Sequence, residues 1–293
     1  MALFTGSGVA ACVAFNADGS LGLPAYEKFV NFLIDNGTDA IISCGTTGES
    51  VTLSDDEQFE VVRCAVSASG GRVPVIGGAG SNNTAHAVHL AKQVAKAGAQ
   101  GCLAVTPYYN KPTQRGLVQH FAAIAEAAAL PTILYNVPGR TACNIQPATY
   151  AELVKIPNIA GVKEASGNIV QIGEVAEAAG PDFPIYSGND DHIVPVLSLG
   201  GLGVISVMGN IIPQYTRDMV AKYHAGDTAA AAKMQIGAMG LVRALFCETN
   251  PIPVKTALNL MGMNMGAFRL PLCDMTEAGL AVLKREMAKF GLI

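Results

Sequence analysis

Eight short apolar runs recur along the first three-quarters of the chain, at residues 8–15, 39–44, 73–78, 101–106, 132–137, 159–164, 183–187 and 203–207. Each is too short for a helix and lacks strict polar–apolar alternation, which is the pattern of parallel strands buried on both faces. The stretches between them have helical character. Residues 24–36 place Tyr26, Phe29, Val30 and Leu33 on one face and stop before Gly37. Residues 54–69 open on Ser54, with Glu57 three positions later, a capping-box pattern. Residues 84–97, 114–129, 147–155, 168–179, 190–199 and 213–224 complete the alternation. Eight strands, each followed by a helix, predict an α/β fold, a (β/α)8 TIM barrel. A doubly wound open sheet is the rival arrangement. Past Gly226 the alternation gives way to helical patterns at 229–246, 254–261 and 276–290. The expected division is a catalytic barrel over 1–226 and a C-terminal helical domain over 227–293.

A chain of 293 residues, 50% apolar and 14% charged, buries about 75% of its unfolded surface and needs no metal or disulfide staple. The net charge of −4 and the lack of a basic patch argue against a nucleic-acid partner. Seven scattered cysteines without a CxxC spacing read as reduced thiols of the core, and so as a cytoplasmic protein. No basic residue precedes Lys28, so the start of the chain lacks a signal-peptide pattern. Residues 193–216 are uncharged and long enough to span a bilayer. Pro195, Gly200, Gly201, Gly203, Gly209 and Pro213 interrupt them, and a buried loop–strand–loop is expected there, with no membrane partner.

In a barrel of this kind the reacting groups sit at the C-terminal ends of strands. Lys163 ends the sixth run, and a buried lysine is costly unless it is paired or neutral. Desolvation favours the free amine, a nucleophile for carbonyl groups. A structural ion pair is the equal alternative, although Glu164 points to the opposite face. Gly45-Thr46-Thr47-Gly48-Glu49-Ser50, after the second run, offers backbone N–H groups and two hydroxyls for an anion, or is an ordinary glycine-rich connection. Tyr135 ends the fifth run and Arg140 follows in its loop. One can relay protons and the other can grip a carboxylate; the alternatives are a core aromatic and a solvated charge. The Tyr108-Tyr109 pair reads more as an interface than as a site. His86 and His89 lack a third ligand and read as a surface pair, and Asp190 with Asp191 as cap and macrodipole residues. No metal site and no GxSxG elbow are found.

Taken in order, GTTGES at 45–50, TPYYNKPTQRGLVQHF at 106–121, LYNVPGRT at 134–141, GVKEASGN at 161–168, YSGNDD at 186–191, GVISV at 203–207 and NPIPVK at 250–255 resemble the dihydrodipicolinate synthase family. That family belongs to the pyruvate-dependent class I aldolases, which also include N-acetylneuraminate lyase. The resemblance covers the whole chain. It implies that Lys163 captures pyruvate as a Schiff base and that Tyr135, Thr46 and a neighbouring subunit's Tyr109 form a proton relay. It further implies that Thr47 holds the pyruvate carboxylate, that Arg140 receives the carboxylate of aspartate 4-semialdehyde, and that Gly188 and Ile205 line the pocket. A lyase reaction of the diaminopimelate and lysine pathway, a homotetramer of tight dimers and no cofactor beyond the covalent pyruvate imine are likewise implied.

The chain departs from the family pattern at Ala14-Phe15, Ala79 and Met208-Gly209, near the expected barrel mouth. Ser50, Asn82 and Tyr108 match the family's lysine feedback site, but His86 stands where sensitive members carry an acid, and Gln58 where they carry a histidine. Weak or absent feedback is therefore expected. Three other readings remain. One is a superfamily lyase acting on a 2-keto-3-deoxy sugar acid or N-acetylneuraminate, which Arg140 disfavours. The second is a lysine that holds pyridoxal phosphate, and the third is a degenerate sensor or scaffold.

Overall fold

The computed structural model describes residues 2–293. Eight parallel strands close into a barrel in chain order. They are β1 (Gly6–Ala10), β2 (Ala40–Ser43), β3 (Val75–Gly78), β4 (Gly101–Val105), β5 (Thr132–Asn136), β6 (Ile159–Glu164), β7 (Ile185–Ser187) and β8 (Gly203–Ser206). The open-sheet rival is thereby excluded, since β1 pairs with β8 as well as with β2. At that seam Gly6 lies opposite Gly203. A Cβ on Gly203 would stand 1.9 Å from the Gly6 carbonyl oxygen, so this approach requires glycine.

The helices are α1 (Leu23–Asp35), α2 (Asp55–Ser69), α3 (Thr84–Lys96), α4 (Gln114–Ala128), α5 (Pro138–Thr141), α6 (Pro147–Leu153), α7 (Ile169–Ala179), α8 (Ile193–Ser198) and α9 (Pro213–His224) around the barrel. After them come α10 (Thr228–Leu245), α11 (Ile252–Leu260) and α12 (Glu277–Lys289). The capping box forms as read: Ser54 Oγ accepts from the Glu57 N–H, and Glu57 accepts from the Ser54 N–H at 2.9 Å. The short α5, a single turn of four residues in the connection from β5 to α6, has no periodic signal in the sequence.

The first run ends early. After the Ala11 N–H, which still donates to the Ile42 carbonyl of β2, the chain leaves the sheet ladder: Cys12 donates to the side chain of Asn210 at 3.1 Å, and Phe15 donates to the Met265 carbonyl. Residues 193–216 fold as α8, β8, a 3-10 turn and the start of α9. No helix among the described residues is long and apolar enough to cross a membrane. All seven cysteines are free; Cys247 and Cys273 are exposed, not in the core as expected.

Two apolar cores result. The barrel interior holds Ile42, Ile76, Leu103, Ile133 and Ile205, and Phe4 stacks on Tyr186 at 4.4 Å below them as a stopper. The larger core lies between the strands and the helical ring. The C-terminal helices are fastened to the barrel loops by charge. Lys255 on α11 donates to Glu49 at 2.8 Å, with both side chains at 0% exposure. Arg269 forks onto the Glu57 carboxylate at 2.6 and 2.8 Å. Both cations also lie over the Phe15 ring, at 4.2 and 4.4 Å.

Burial drives the Lys255 pKa down while the Glu49 carboxylate opposes that shift. Removing one partner strands a charge in the core, which costs about 3–5 kcal/mol, whereas removing both costs far less. Lys255→Met should therefore lower the urea unfolding free energy by about that amount, and adding Glu49→Gln should recover most of it. A single-variant loss below about 1 kcal/mol would mean that the pair is dispensable.

Candidate active site

The C-terminal ends of β2 to β5 open into a cavity of ≈ 340 Å³, whose wall includes Thr46, Tyr108, Tyr135, Val137 and Arg140 but not Lys163, Thr47, Gly188 or Ile205. Alternation along β5 and β6 decides which side chains point into the barrel. Tyr135 lies beside Lys163 in the register of the two strands, and Lys163 Nζ sits 4.3 Å above the Tyr135 ring centre. Lys163 is 5% exposed. It makes no ion pair with any carboxylate among the described residues. That removes the ion-pair alternative read from the sequence.

Glu164 points outward, as strand alternation requires. It accepts from Asn136 Nδ2 at 3.0 Å, the Ser166 N–H at 2.9 Å and the Tyr150 hydroxyl at 3.3 Å. Burial raises its pKa despite these bonds.

The 45–50 loop turns on itself. The N–H groups of Gly48, Glu49 and Ser50 donate to carbonyls of Gly45 and Thr46, so they are not free for an anion as the sequence reading allowed. The Thr46 and Thr47 end of the loop is what remains for a ligand. Thr47 is buried, and its Oγ1 accepts from Asn250 Nδ2 at 3.1 Å. Arg140 is exposed on α5, and its Nη2 donates to the Asn250 carbonyl at 3.2 Å.

Ile205 lies on the barrel floor at 0% exposure. Gly188, after β7, donates its N–H to the Glu164 carbonyl at 2.7 Å. A Cβ there would meet the Ala165 methyl at 2.6 Å, which brings the β7 loop close behind Lys163.

Tyr109 is placed apart from the rest. It is 91% exposed and has φ +75°. Thr46 and Tyr135 share the cavity wall, but no hydrogen bond joins their hydroxyls.

Several functional side chains escaped the sequence reading. Asp190 is not a helix cap. Its buried carboxylate accepts from Ser206 Oγ at 2.6 Å and from the N–H groups of Val207 and Met208, so it ties the β7 loop to the end of β8. Burial raises its pKa, against the pull of those bonds and of Lys163. Glu49, Asn250 and Lys255 went unassigned, although a lysine inside the apolar stretch Ile252-Pro-Val-Lys-Thr-Ala-Leu signals a buried partner. His86 and His89 are a surface pair as read, and both Nε2 atoms face Asp55, at 2.9 and 3.6 Å. Among the described residues no cluster of three or more His, Cys, Asp or Glu is set to hold a metal.

The dihydrodipicolinate synthetase family pattern matches residues 3–289. The chain is 50% identical over 292 residues to a 4-hydroxy-tetrahydrodipicolinate synthase of Caldicellulosiruptor bescii, covering 100% of this chain and 99% of that one. It is 51% identical over 294 residues to that of Thermoanaerobacter pseudethanolicus, covering 100% and 99%. Among solved structures, the dihydrodipicolinate synthase of Thermotoga maritima superposes with a TM-score of 0.97 at 42% identity, over 99% of this chain and 100% of its own. The enzyme of Cyanidioschyzon merolae, solved with lysine bound, gives 0.97 at 42% identity, over 100% of both chains. The (β/α)8 barrel, the cavity at its mouth and the full-length likeness agree: this chain belongs to the dihydrodipicolinate synthetase family.

Proposed function

We propose that this chain is a Schiff-base-forming lyase. It condenses pyruvate with L-aspartate 4-semialdehyde to give 4-hydroxy-tetrahydrodipicolinate, a step of diaminopimelate and lysine biosynthesis. The observation that carries this reading is Lys163: a buried amine at the end of β6, with an aromatic ring beside it and no carboxylate partner. Its amine attacks the ketone carbon, and loss of water leaves a cationic imine. The imine draws electrons from the neighbouring methyl group, which gives up a proton to become an enamine. The enamine carbon attacks the aldehyde, and release with ring closure frees the lysine.

Tyr135, beside the imine, moves the protons together with Thr46. Thr47 holds the pyruvate carboxylate, Arg140 that of the aldehyde, and Gly188 and Ile205 bound the pocket. The imine is itself the electron sink, so this reading includes no cofactor. The barrel over 1–226 carries the chemistry, and the helical unit over 227–293 supports it through Asn250 and Lys255.

The same reading gives Tyr109 to a partner subunit's relay, in a homotetramer of tight dimers. Two groups of exposed apolar side chains support it: Val51 and Tyr109 on loops at the barrel mouth, and Val170, Leu199 and Ile236 on or beside α7, α8 and α10. One solved relative is described as a monomeric variant, so association differs between members of the family. Free cysteines accord with a cytoplasmic location.

Borohydride reduction with pyruvate, followed by mass spectrometry of the digested chain, should label the peptide that holds Lys163. Tyr135→Phe should still be labelled but lose about 10²–10⁴-fold in turnover. Label elsewhere, or a Tyr135→Phe variant retaining more than half the activity, would reject the assignment.

Feedback by lysine should be weak. Ser50, Asp55, Gln58, His86 and Tyr108 line the outer part of the same cavity. Its carboxylate, Asp55, already accepts from His86. An ammonium entering there must displace an imidazole instead of meeting a free acid. Activity at about 1 mM L-lysine should stay above half its starting value, a concentration at which a moderate site would be half filled. Half-inhibition well below that concentration would contradict the assignment.

A further inference from the structure

Asn250 stands between the two groups to which the proposed reaction gives its carboxylates, and it comes from outside the barrel. It lies in the connection between α10 and α11, 5% exposed. Its side-chain Nδ2 donates to Thr47 Oγ1 at 3.1 Å, and its main-chain carbonyl accepts from Arg140 Nη2 at 3.2 Å. The two contacts differ in kind: one belongs to the side chain, the other to the backbone.

The polarity of the first contact matters. An amide NH2 donates and cannot accept, so the Thr47 oxygen is the acceptor and its own proton is left for another partner. No second side-chain hydrogen bond of Thr47 competes for that proton. The opposite face of the amide, Asn250 Oδ1, is buried and without a partner. Turning the amide over would bury an unpaired NH2 in its place, and orphaned donors are tolerated less well than under-used carbonyl oxygens. The observed orientation is therefore the favoured one.

We infer that Asn250 is a positioning residue. By donating to Thr47, it holds that hydroxyl with its proton free to be given to the carboxylate of the keto acid. The inference rests on the reading of Thr47 as the group that holds this carboxylate. Because the Arg140 contact is made by the backbone, replacing the Asn250 side chain leaves it in place. Loss of the side chain therefore weakens pyruvate capture without an equal effect on the aldehyde. Aspartate at this position is the sharpest change. Its oxygen accepts the Thr47 proton, taking it from the substrate, and adds a negative charge near an anionic ligand.

The test uses the full chain with Asn250→Asp and Asn250→Ala, each in the wild-type and the Thr47→Val background. The readouts are the pyruvate concentration for half-maximal borohydride trapping, the KM for each substrate and kcat. Asn250→Asp should raise half-saturation by pyruvate about 10–100-fold, the scale of one hydrogen bond to a charged group. Asn250→Ala should raise it about tenfold. The aldehyde KM and kcat at saturating pyruvate should move by less than about threefold, since the backbone contact survives. In the Thr47→Val background the Asn250→Ala effect should shrink to about twofold or less, because the two residues act as one unit.

The inference is overturned by unchanged pyruvate half-saturation, by equal rises in both KM values, or by the same Asn250→Ala effect in both backgrounds. Unfolding of both single variants, seen by circular dichroism, also overturns it, since the side chain would then serve the fold alone. Absence of trapping in the wild-type chain would instead overturn the proposed reaction, so the two failures are told apart.

Discussion

A strand in a closed parallel barrel has two faces and no free edge, and this constraint governs everything at the mouth of the molecule. Successive residues must point alternately into the barrel and out to the helices. At the end of β6 this sends Lys163 inward, to the Tyr135 ring, and Glu164 outward, to Asn136, Tyr150 and Ser166. Two residues of opposite charge, adjacent in sequence, are thus kept from pairing. Closure itself depends on the β1–β8 seam, where a side chain on Gly203 would collide with the backbone of Gly6.

The mouth of the barrel is not held by the barrel alone. Three residues after α10 reach back to the barrel: Asn250 to Thr47 and Lys255 to Glu49 in the loop after β2, and Arg269 to Glu57 in the first turn of α2. Glu49 lies two residues beyond Thr47, so the buried ion pair and the amide bond hold the same loop from two points. Such loops are ordinarily the least stable part of a barrel. A pair at 0% exposure adds directional contacts that a purely apolar anchor would lack, and both partners must be present for it to be tolerable. Phe15, one of the departures from the family pattern, supplies an aromatic face to both cations.

The alternation of strands and helices, and hence the barrel, was legible because both periods are written in local residues. The buried position of Lys163 was legible for the same reason: charge at the end of an apolar run is a local anomaly. The errors fall where structure depends on distant partners. The end of β1 is set by Asn210 and Met265, roughly 200 and 250 residues away in the chain, which no local pattern records. Asp190 looked like a helix cap because it opens a turn. Its carboxylate instead crosses to Ser206 and the backbone after it. Glu49 and Lys255 each carried half of a signal, a charge in apolar surroundings, and only the fold puts the halves together. The motif residue Asn250 had no signal of its own, because an asparagine in a proline-rich loop has the turn as its ordinary explanation.

The two buried lysines, one paired and one proposed as the nucleophile, differ in a single respect. Lys163 and Lys255 lie over aromatic rings at nearly the same distance, 4.3 and 4.2 Å, so the ring does not separate them. Both are withdrawn from solvent, so burial does not separate them either. The difference is the carboxylate. Glu49 meets Lys255 at 2.8 Å and gives the charged form a fixed partner. Lys163 has no such partner; the nearest influence of that sign is Asp190, whose oxygens are taken up by Ser206, Val207 and Met208. An amine without a bound counter-charge is the better placed of the two for the carbonyl attack proposed above. The β7 loop, by keeping the Asp190 carboxylate engaged with the end of β8, is therefore as much a part of the surroundings of Lys163 as the tyrosine beside it.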